Sequence, residues 1–248
     1  MLNNLWLPAQ ASTHAASVDH MIILVHWLML VLFVGWGAFF IFVLFRFRKG
    51  ANPKASYVGA KGKFAKGTEL AVVVAEMVLL FGYAIPGWTA RVGAFPSETD
   101  AVVVHVVAEQ FAWNVHYPGP DGKFGARKIS LISAENALGL DRTDPDAKDD
   151  ITDINNLNLP VDRPVLVRLS SKDVIHSFGL PEMRVKQDAV PGLDMPVWFI
   201  PNKVGDYEIA CSQLCGLGHF RMRGFIHIKS AADYQSYLDE AGKELLQQ

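Results

Sequence analysis

Cysteine is scarce in this chain, and charged residues are missing from one long stretch of it. Cys211 and Cys215 are the only two cysteines among 248 residues, so all thiol chemistry is confined to one short segment. No C-x-x-C-H motif is present, which excludes a covalently attached c-type haem in this chain. The first 19 residues contain no Lys or Arg. They therefore lack the basic opening of a secretory signal, and we expect the mature chain to keep them.

Asp, Glu, Lys and Arg are all absent between His20 and Phe45. At about 1.5 Å rise per residue, a helix over this run would be roughly 39 Å long, enough to cross a bilayer. A second apolar stretch, interrupted by one glutamate, runs from Glu69 to Ala90. Residues 20–90 are therefore predicted to form a two-helix transmembrane hairpin in a lipid bilayer.

Basic residues are concentrated between the two apolar stretches. All seven Lys and Arg residues of the first 90 positions lie between Arg46 and Lys66, with no acid among them. By the positive-inside rule, loop 46–68 is cytoplasmic, which leaves residues 1–19 and 91–248 outside. The second of these outer parts has 16 Lys and Arg against 22 Asp and Glu and no basic face, so nucleic-acid binding is not expected.

Short segments rich in β-branched and aromatic residues, separated by Pro, Gly and Asp, follow the hairpin. This pattern predicts an all-β domain, a small sandwich or barrel. Residues 119–163 are rich in aspartate and are predicted to form a long exposed acidic loop. Ser230 followed by Asp233 is typical of a helix N-terminus, and a C-terminal helix to about Leu246 is predicted. The predicted strands are Ala101–Val107, Trp113–Tyr117, Pro164–Ser170, Pro196–Ile200, Asp206–Ala210 and Gly224–Ile228.

The run from Cys211 to Met222 holds two thiols, the imidazole of His219 and a thioether within twelve residues. Soft sulfur donors with nitrogen support favour copper over magnesium, calcium or manganese. Two thiolates four residues apart on one loop can bridge two metal ions, while the histidine and the methionine each complete one of them. A disulfide and a zinc site are the alternatives, although zinc sites rarely recruit methionine.

A second imidazole lies upstream in Asp173-Val-Ile-His176-Ser-Phe, and Lys186-Gln-Asp-Ala-Val-Pro-Gly192 follows it. Together with the run Cys-Ser-x-x-Cys-Gly-x-x-His-x-x-Met, these segments resemble the dinuclear copper centre, CuA, of subunit II of the haem-copper cytochrome c oxidases. The resemblance implies a cupredoxin-like Greek-key barrel for residues 91–248. It also implies the copper ligands, which are His176, Cys211, the backbone carbonyl of Gln213, Cys215, His219 and Met222.

The same resemblance implies a role in electron transfer. The domain would accept electrons from a c-type cytochrome and pass them to haem in a separate, larger subunit I, where oxygen is reduced to water. The expected location is the bacterial cytoplasmic membrane, in preference to the mitochondrial inner membrane, with the copper domain on the periplasmic side. The acidic balance of the outer domain favours docking of a basic cytochrome by charge steering, with Asp173 as the docking residue near the copper.

Three positions need separate consideration. Gln213 stands where the family usually has an acid that helps to hold a magnesium ion at the subunit interface; an amide is a weaker oxygen ligand, so the sequence leaves magnesium binding open. Phe111-Ala-Trp113 replaces a W-x-W motif whose first tryptophan is where electrons enter, which makes Phe111 and Trp113 the candidates for that role. Glu69 matches a family glutamate at the mouth of a proton path; the alternative is an acid that only interacts with its helix dipole.

Other functions remain compatible with parts of the sequence. One is the copper subunit of a nitric oxide reductase, and another is a membrane-anchored copper delivery protein, which needs no dinuclear ligand set. A quinol-oxidising relative of the same fold would have lost the copper ligands, and here they are intact.

Overall fold

A computed structural model describes residues 7–54, 57–59 and 62–245. The chain divides into two units: Met1–Ala16 together with Phe95–Gln248, and Ser17–Ala94. Two predicted features, Lys61 of the basic loop and Leu246 at the end of the last helix, lie outside the described residues.

The smaller unit is helical. Helix α1 spans Ala15–Arg46, and helix α2 spans Lys63–Leu79. Helix α2 continues through a π-helical turn, Leu80–Ala84, into helix α3, Ile85–Val92. Helix α1 and the continuous helical stretch 63–92 are both long and apolar enough to cross a membrane.

The π-helical turn has a local cause in the sequence. Pro86 lies in the first turn of α3. Proline has no backbone N–H to donate to the preceding turn and its ring crowds that turn, so a regular α-helix cannot continue unchanged through this point. The helix widens over the five residues before α3, as helices do at such breaks.

The larger unit contains two five-stranded sheets within the described residues, followed by helix α4, Ala231–Leu245. One sheet has the order β3-β2-β1-β5-β8 and the other β4-β10-β9-β6-β7. Parallel pairing of β1 with β5 and of β10 with β4 shows that the strands are joined by crossovers between the sheets and not only by hairpins. The strands are β1 Val102–Glu109, β2 Ala112–Tyr117, β3 Ile151–Ile154, β4 Asn156–Pro160, β5 Val165–Ser171, β6 His176–Leu180, β7 Val185–Ala189, β8 Met195–Phe199, β9 Gly205–Cys211 and β10 Arg223–Lys229.

One core fills the space between the two sheets. Alternate residues of β1 and β5, such as Val104, Val106 and Val167, are fully buried and face it, as the period of two in a strand requires. The largest buried side chains include Trp113 and Phe178. The structure confirms the predicted fold class, a helical hairpin followed by a cupredoxin-like β-domain and a C-terminal helix.

One prediction about this domain was wrong, and one hairpin was not predicted. The long acidic loop ends at Asp150, because β3 and β4 begin at Ile151 and Asn156; four-residue and five-residue strands separated by a polar residue leave little periodic signal. Asn155 turns the chain between them with a φ of 64°, a left-handed conformation that asparagine tolerates. The hairpin β6–β7 was not predicted, because β6 is buried at every position and its sequence therefore lacks the alternation of apolar and polar residues.

The N-terminal segment, residues 8–14, is part of the β-domain. Ala11 is fully buried in the core. Its N–H donates to the carbonyl of Glu182 at 2.9 Å, and its own carbonyl accepts from the N–H of Asn202 at 2.9 Å. The hydroxyl of Ser12 donates to the carbonyl of Met183 at 2.7 Å. The segment therefore joins the domain before the chain enters α1.

Candidate metal centre

Three neighbouring strands of one sheet bring the predicted ligands to the same edge. His176 is the first residue of β6, Cys211 is the last residue of β9, and Met222 immediately precedes β10. The loop 211–222 connects β9 to β10, and the N–H of Cys211 donates to the carbonyl of Met222 at 3.3 Å, which closes its base. Because β6 pairs with β9, His176 lies beside this loop.

The two cysteines are free thiols with their Sγ atoms 3.8 Å apart. A disulfide needs an S–S distance of about 2.05 Å, so the disulfide alternative does not describe this structure. Metal–sulfur bonds of about 2.3 Å would allow one ion to reach both sulfur atoms. The separation therefore fits two thiolates that share metal ions.

Nitrogen, thioether and carbonyl donors surround the sulfur pair on different sides. His176 Nδ1 lies 3.2 Å from Met222 Sδ and 4.0 Å from Cys211 Sγ. His219 Nδ1 lies 3.7 Å from Cys215 Sγ. The carbonyl oxygen of Gln213 accepts from Cys211 Sγ at 3.3 Å. All six predicted ligand positions therefore meet, and the donors of His176, Cys211 and Cys215 lie within 4.8 Å of one another.

Burial shapes the protonation of this cluster. His176, Cys215 and Met222 are buried, whereas Cys211 and His219 are half-buried. Burial, followed by the hydrogen bond that this thiol makes with Cys211, raises the pKa of Cys215 to about 11. At neutral pH this thiol therefore keeps its proton until a cation compensates the thiolate, and metal binding releases that proton.

Asp173 fixes the orientation of the His176 ring. Its Oδ1 lies 2.9 Å from His176 Nε2, which leaves Nδ1 free to face the sulfur atoms. Burial alone would raise the pKa of Asp173, but hydrogen bonds from His176 and from the N–H groups of Gln110 and Val174 outweigh it and lower the pKa. Carboxylate–histidine pairs of this kind set the tautomer and orientation of metal-binding histidines.

The two aromatic candidates for electron entry, Trp113 and Phe111, differ in burial. Trp113 is fully buried and lies edge-on to the rings of His176 and Phe178, with centroids 6.2 and 5.6 Å away. Phe111 is half-buried, and the guanidinium of Arg221 lies 6.0 Å from its centroid. A protein partner can therefore reach Phe111 but not Trp113.

Sequence reasoning missed Gln110, the residue before Phe111. Its side-chain Nε2 donates to the carbonyl of Cys215 at 2.5 Å, and its N–H donates to Asp173 Oδ2 at 2.7 Å. These partners lie 105 and 63 positions away in the sequence, so no local sequence pattern predicts the two bonds.

The acidic segment before β3 is not simply solvated, which corrects the sequence prediction. Asp150 is fully buried and lies 2.7 Å from Nε2 of the equally buried His116. Asp141 is 7% exposed and accepts from Thr143 and Lys128. These carboxylates hold the segment together, so they contribute to its structure as well as to its charge.

Apolar side chains are exposed around the centre. Leu214, Leu217 and Phe220 lie between the ligands of the loop 211–222 and are 78, 97 and 87% exposed. Glu69, the proton-path candidate, lies in α2 of the other unit and is exposed.

Comparison with known proteins agrees with this geometry. The family described as "Cytochrome C oxidase subunit II, periplasmic domain" matches residues 102–230, more than half of the chain. The chain belongs to the cytochrome c oxidase subunit II family. The confirmed resemblance rested on the ligand run from Cys211 to Met222 and the segment around His176.

Relatives of cytochrome c oxidase subunit II match over most of their length. "Alternative cytochrome c oxidase subunit 2" of Bradyrhizobium diazoefficiens is 31% identical over 95% of this chain and 83% of its own. "Heme-copper oxidase subunit 2" of Aeropyrum pernix is 27% identical over 84% of this chain and 86% of its own. Among solved structures, the periplasmic domain of subunit II of cytochrome oxidase from Bradyrhizobium japonicum matches with a TM-score of 0.45 and 28% identity, covering 61% of this chain and 99% of that one.

Membership of the subunit II family implies a copper centre, and the cluster of His176, Cys211 and Cys215 is compatible with one. It also implies that the chain is one subunit of a haem-copper oxidase, an oxidoreductase, and that it has partner subunits. Two long apolar helices and a periplasmic-type domain are compatible with a membrane protein.

Proposed function

We propose that this chain is the subunit through which electrons enter a terminal oxidase, and that it holds a dinuclear copper centre, CuA. The observation that carries the proposal is the meeting of six donor groups of the right kinds at one edge of the β-domain. His176, Cys211, Gln213 through its carbonyl, Cys215, His219 and Met222 are the ligands that we assign.

The donor chemistry fits copper better than zinc. Two thiolates and two imidazoles would satisfy either ion, but the buried Met222 sulfur lies 3.7 Å from Cys215 Sγ and 3.2 Å from His176 Nδ1. A thioether inside the donor set favours copper. When bound, the copper pair supplies a one-electron carrier whose charge is shared across both ions.

The role of the protein in this function is to hold the metal-ligand side chains in fixed positions. His176 is held by a sheet strand and by Asp173, while the ligand loop is closed at its base by the bond between Cys211 and Met222. Fixed donors lower the rearrangement that accompanies a change of charge, since the ligand geometry is set before the electron arrives.

We infer that the electron donor is a c-type cytochrome and the acceptor is haem in the larger subunit I, where oxygen is reduced to water. This chain has no haem-attachment motif, so its electrons come from another protein. Phe111 and the exposed residues Leu214, Leu217 and Phe220 give the centre an apolar surface for contact with partners. Trp113 is then an internal neighbour of His176 and not a docking residue.

The proposed topology places both termini and the β-domain on the periplasmic side of a bacterial cytoplasmic membrane. The N-terminal segment supports it, because Ala11 and Ser12 are bonded into the β-domain and must lie on the same side as that domain. Two crossings, by α1 and by residues 63–92, return the chain to the side on which it started. The exposed basic loop between them is then cytoplasmic.

Two further roles remain proposals. Glu69 at the cytoplasmic end of the second span would lie at the mouth of a proton path in the neighbouring subunit. Magnesium at the subunit interface would have the amide of Gln213 where the family usually offers a carboxylate, and an uncharged ligand binds that ion more weakly.

Metal analysis and electron paramagnetic resonance on the purified full-length chain test the copper proposal. We expect two copper ions per chain and a signal delocalised over two copper nuclei in the oxidised protein. One copper per chain, or a signal confined to one nucleus, would contradict it. Copper that exchanges within minutes with a chelator would favour a delivery protein, and nitric oxide reduction by the co-purified complex would favour a nitric oxide reductase.

A further inference from the structure

The two-residue turn between β1 and β2, Gln110–Phe111, touches both copper-ligand segments. It connects Glu109 and Ala112, which pair directly across the hairpin. Nothing in the local sequence marks Gln110 as part of the metal centre, since it lies 66 residues before His176.

Hydrogen bonds from Gln110 run in two directions. Through its side chain, Nε2 reaches the carbonyl oxygen of Cys215 at 2.5 Å. Through its main chain, the N–H reaches Asp173 Oδ2 at 2.7 Å, and the other oxygen of Asp173 lies 2.9 Å from His176 Nε2. One residue is therefore bonded to a ligand of the loop and, through one carboxylate, to the ligand of β6.

Close packing holds the turn Gln110–Phe111 against the loop 211–222. A methyl group at Gly216 would lie 2.5 Å from Gln110 Nε2, and one at Gly218 would lie 2.5 Å from the ring of Phe111. Such distances are too short for a side chain, so the two glycines allow the turn to lie directly on the loop backbone. Gly216 also has a φ of 141°, which favours glycine for a second reason.

We propose that Gln110 is a positioning residue of the metal centre, which fastens the Cys215 carbonyl to the same turn that orients Asp173 and His176. This inference rests on the proposed function. A hydrogen bond to the carbonyl of a ligand fixes the peptide plane from which the ligand side chain projects, so its loss frees Cys215 Sγ to move relative to His176 Nδ1.

Two isosteric substitutions separate this role from a general contribution to folding. Gln110→Met keeps the length of the side chain and removes the donor, while Gln110→Glu keeps the shape and replaces the donor with a charged acceptor. The backbone N–H that bonds Asp173 is unchanged in both. Gln187→Met is the matched control, because Gln187 is a half-buried glutamine of β7 and is not an assigned ligand.

The experiment uses full-length protein loaded with copper, and it measures copper release to a chelator, the reduction potential and the hyperfine pattern of the oxidised centre. Removal of a residue that hydrogen-bonds a metal ligand typically lowers metal affinity 10–100-fold. We therefore expect copper release to be at least about tenfold faster in both Gln110 variants. The hyperfine pattern should change as well. Gln187→Met should match the wild type in all three measurements.

Two results overturn the proposal. Wild-type rates, potential and hyperfine pattern in both Gln110 variants would show that the turn only covers the centre, as would a lower unfolding temperature without any change at the copper. Absence of a dinuclear signal in the wild-type protein would overturn the proposed function, and this inference with it. The first result leaves the proposed function intact, so the two failures are distinguishable.

Discussion

Nε2 of His176 lies 2.9 Å from a carboxylate oxygen of Asp173, three residues earlier in the chain. Asp173→Asn removes the charge that orients this imidazole, so we expect about 10–100-fold weaker copper binding. Chelator competition on the copper-loaded chain measures it. Asp146→Asn, in the acidic segment and far from the ligands in sequence, is the control and should bind copper as the wild type does. Equal affinities in both variants would show that Asp173 has no part in holding His176.

The two cysteine sulfur atoms, which we propose as bridges between the coppers, and the Met222 thioether should respond differently to substitution. Cys211→Ser or Cys215→Ser places a hard hydroxyl where a soft bridge is needed, so the dinuclear signal should disappear. Met222→Leu should retain two coppers with a changed reduction potential, because it removes one donor and no bridge. Ser212→Ala, on the same loop and exposed, is the control. Equal and complete loss of copper in all three ligand variants would contradict the separate roles.

The β-domain carries charges of both signs, which makes electrostatic docking of a cytochrome testable by substitution. If a basic cytochrome is steered to the acidic domain, its reduction of the copper should slow as salt rises, since the Debye length falls from about 10 Å at 0.1 M to about 3 Å at 1 M. Asp146→Asn should slow this step modestly. Arg221→Gln should accelerate it, because it removes a positive charge beside Phe111.

Stopped-flow kinetics at several salt concentrations measure these rates. Asp173, the docking residue predicted from the sequence, is a poor probe, because its carboxylate also holds His176. A rate that responds neither to salt nor to either substitution would indicate apolar docking through residues such as Leu217, or a donor that is permanently attached.

His105 makes the β-domain sensitive to acid. Its ring stacks on Phe124 with centroids 3.8 Å apart, and burial, followed by the nearby charge of Arg127, lowers its pKa to about 3. The unfolded chain binds the proton near pH 6.5, so stability is fully present above that pH and falls as pH drops from 6.5 towards 3. The loss from this group approaches about 1.4 kcal/mol per pH unit.

His105→Phe keeps a ring on Phe124 and removes the titration. The difference in unfolding free energy between pH 7.5 and pH 5 should therefore be smaller in this variant by about 2 kcal/mol. Urea titration of the full-length chain at both pH values measures it. An unchanged pH dependence in His105→Phe would contradict the assignment.

The N-terminal segment should contribute to the stability of the β-domain. Ala11 is fully buried, whereas Ala9 is exposed. Ala11→Asp places an unpaired carboxylate in the core and should lower the unfolding free energy by at least about 3 kcal/mol. Ala9→Asp should change it by less than about 0.5 kcal/mol. Proteolysis of the β-domain in membranes reports the difference, and equal protection of both variants would show that the segment is dispensable.

That the six proposed ligand positions lie together could be predicted from the sequence, because five of them lie in one run, where residue chemistry and spacing act together. The role of Gln110 could not be predicted from the sequence, because it depends on a hydrogen bond to Cys215, which lies 105 positions later in the chain. The strands β3 and β4 were missed because Asn155 and the neighbouring polar residues interrupt any hydrophobic period. The burial of Asp150 was missed because its partner His116 comes from another strand. Tertiary contacts, and not local propensity, decide each of these cases.

The bond between Ser12 and Met183 joins residues 171 positions apart, and this distance sets an order of assembly. During synthesis, residues 8–14 emerge long before residues 182–202, to which they are hydrogen-bonded. The long loop that must close makes this a late event in folding. Cys211 follows Asn202 by only nine residues. The loop 211–222 therefore follows directly after the residues that bind the N-terminal segment, so both sets of contacts become possible at nearly the same stage of synthesis.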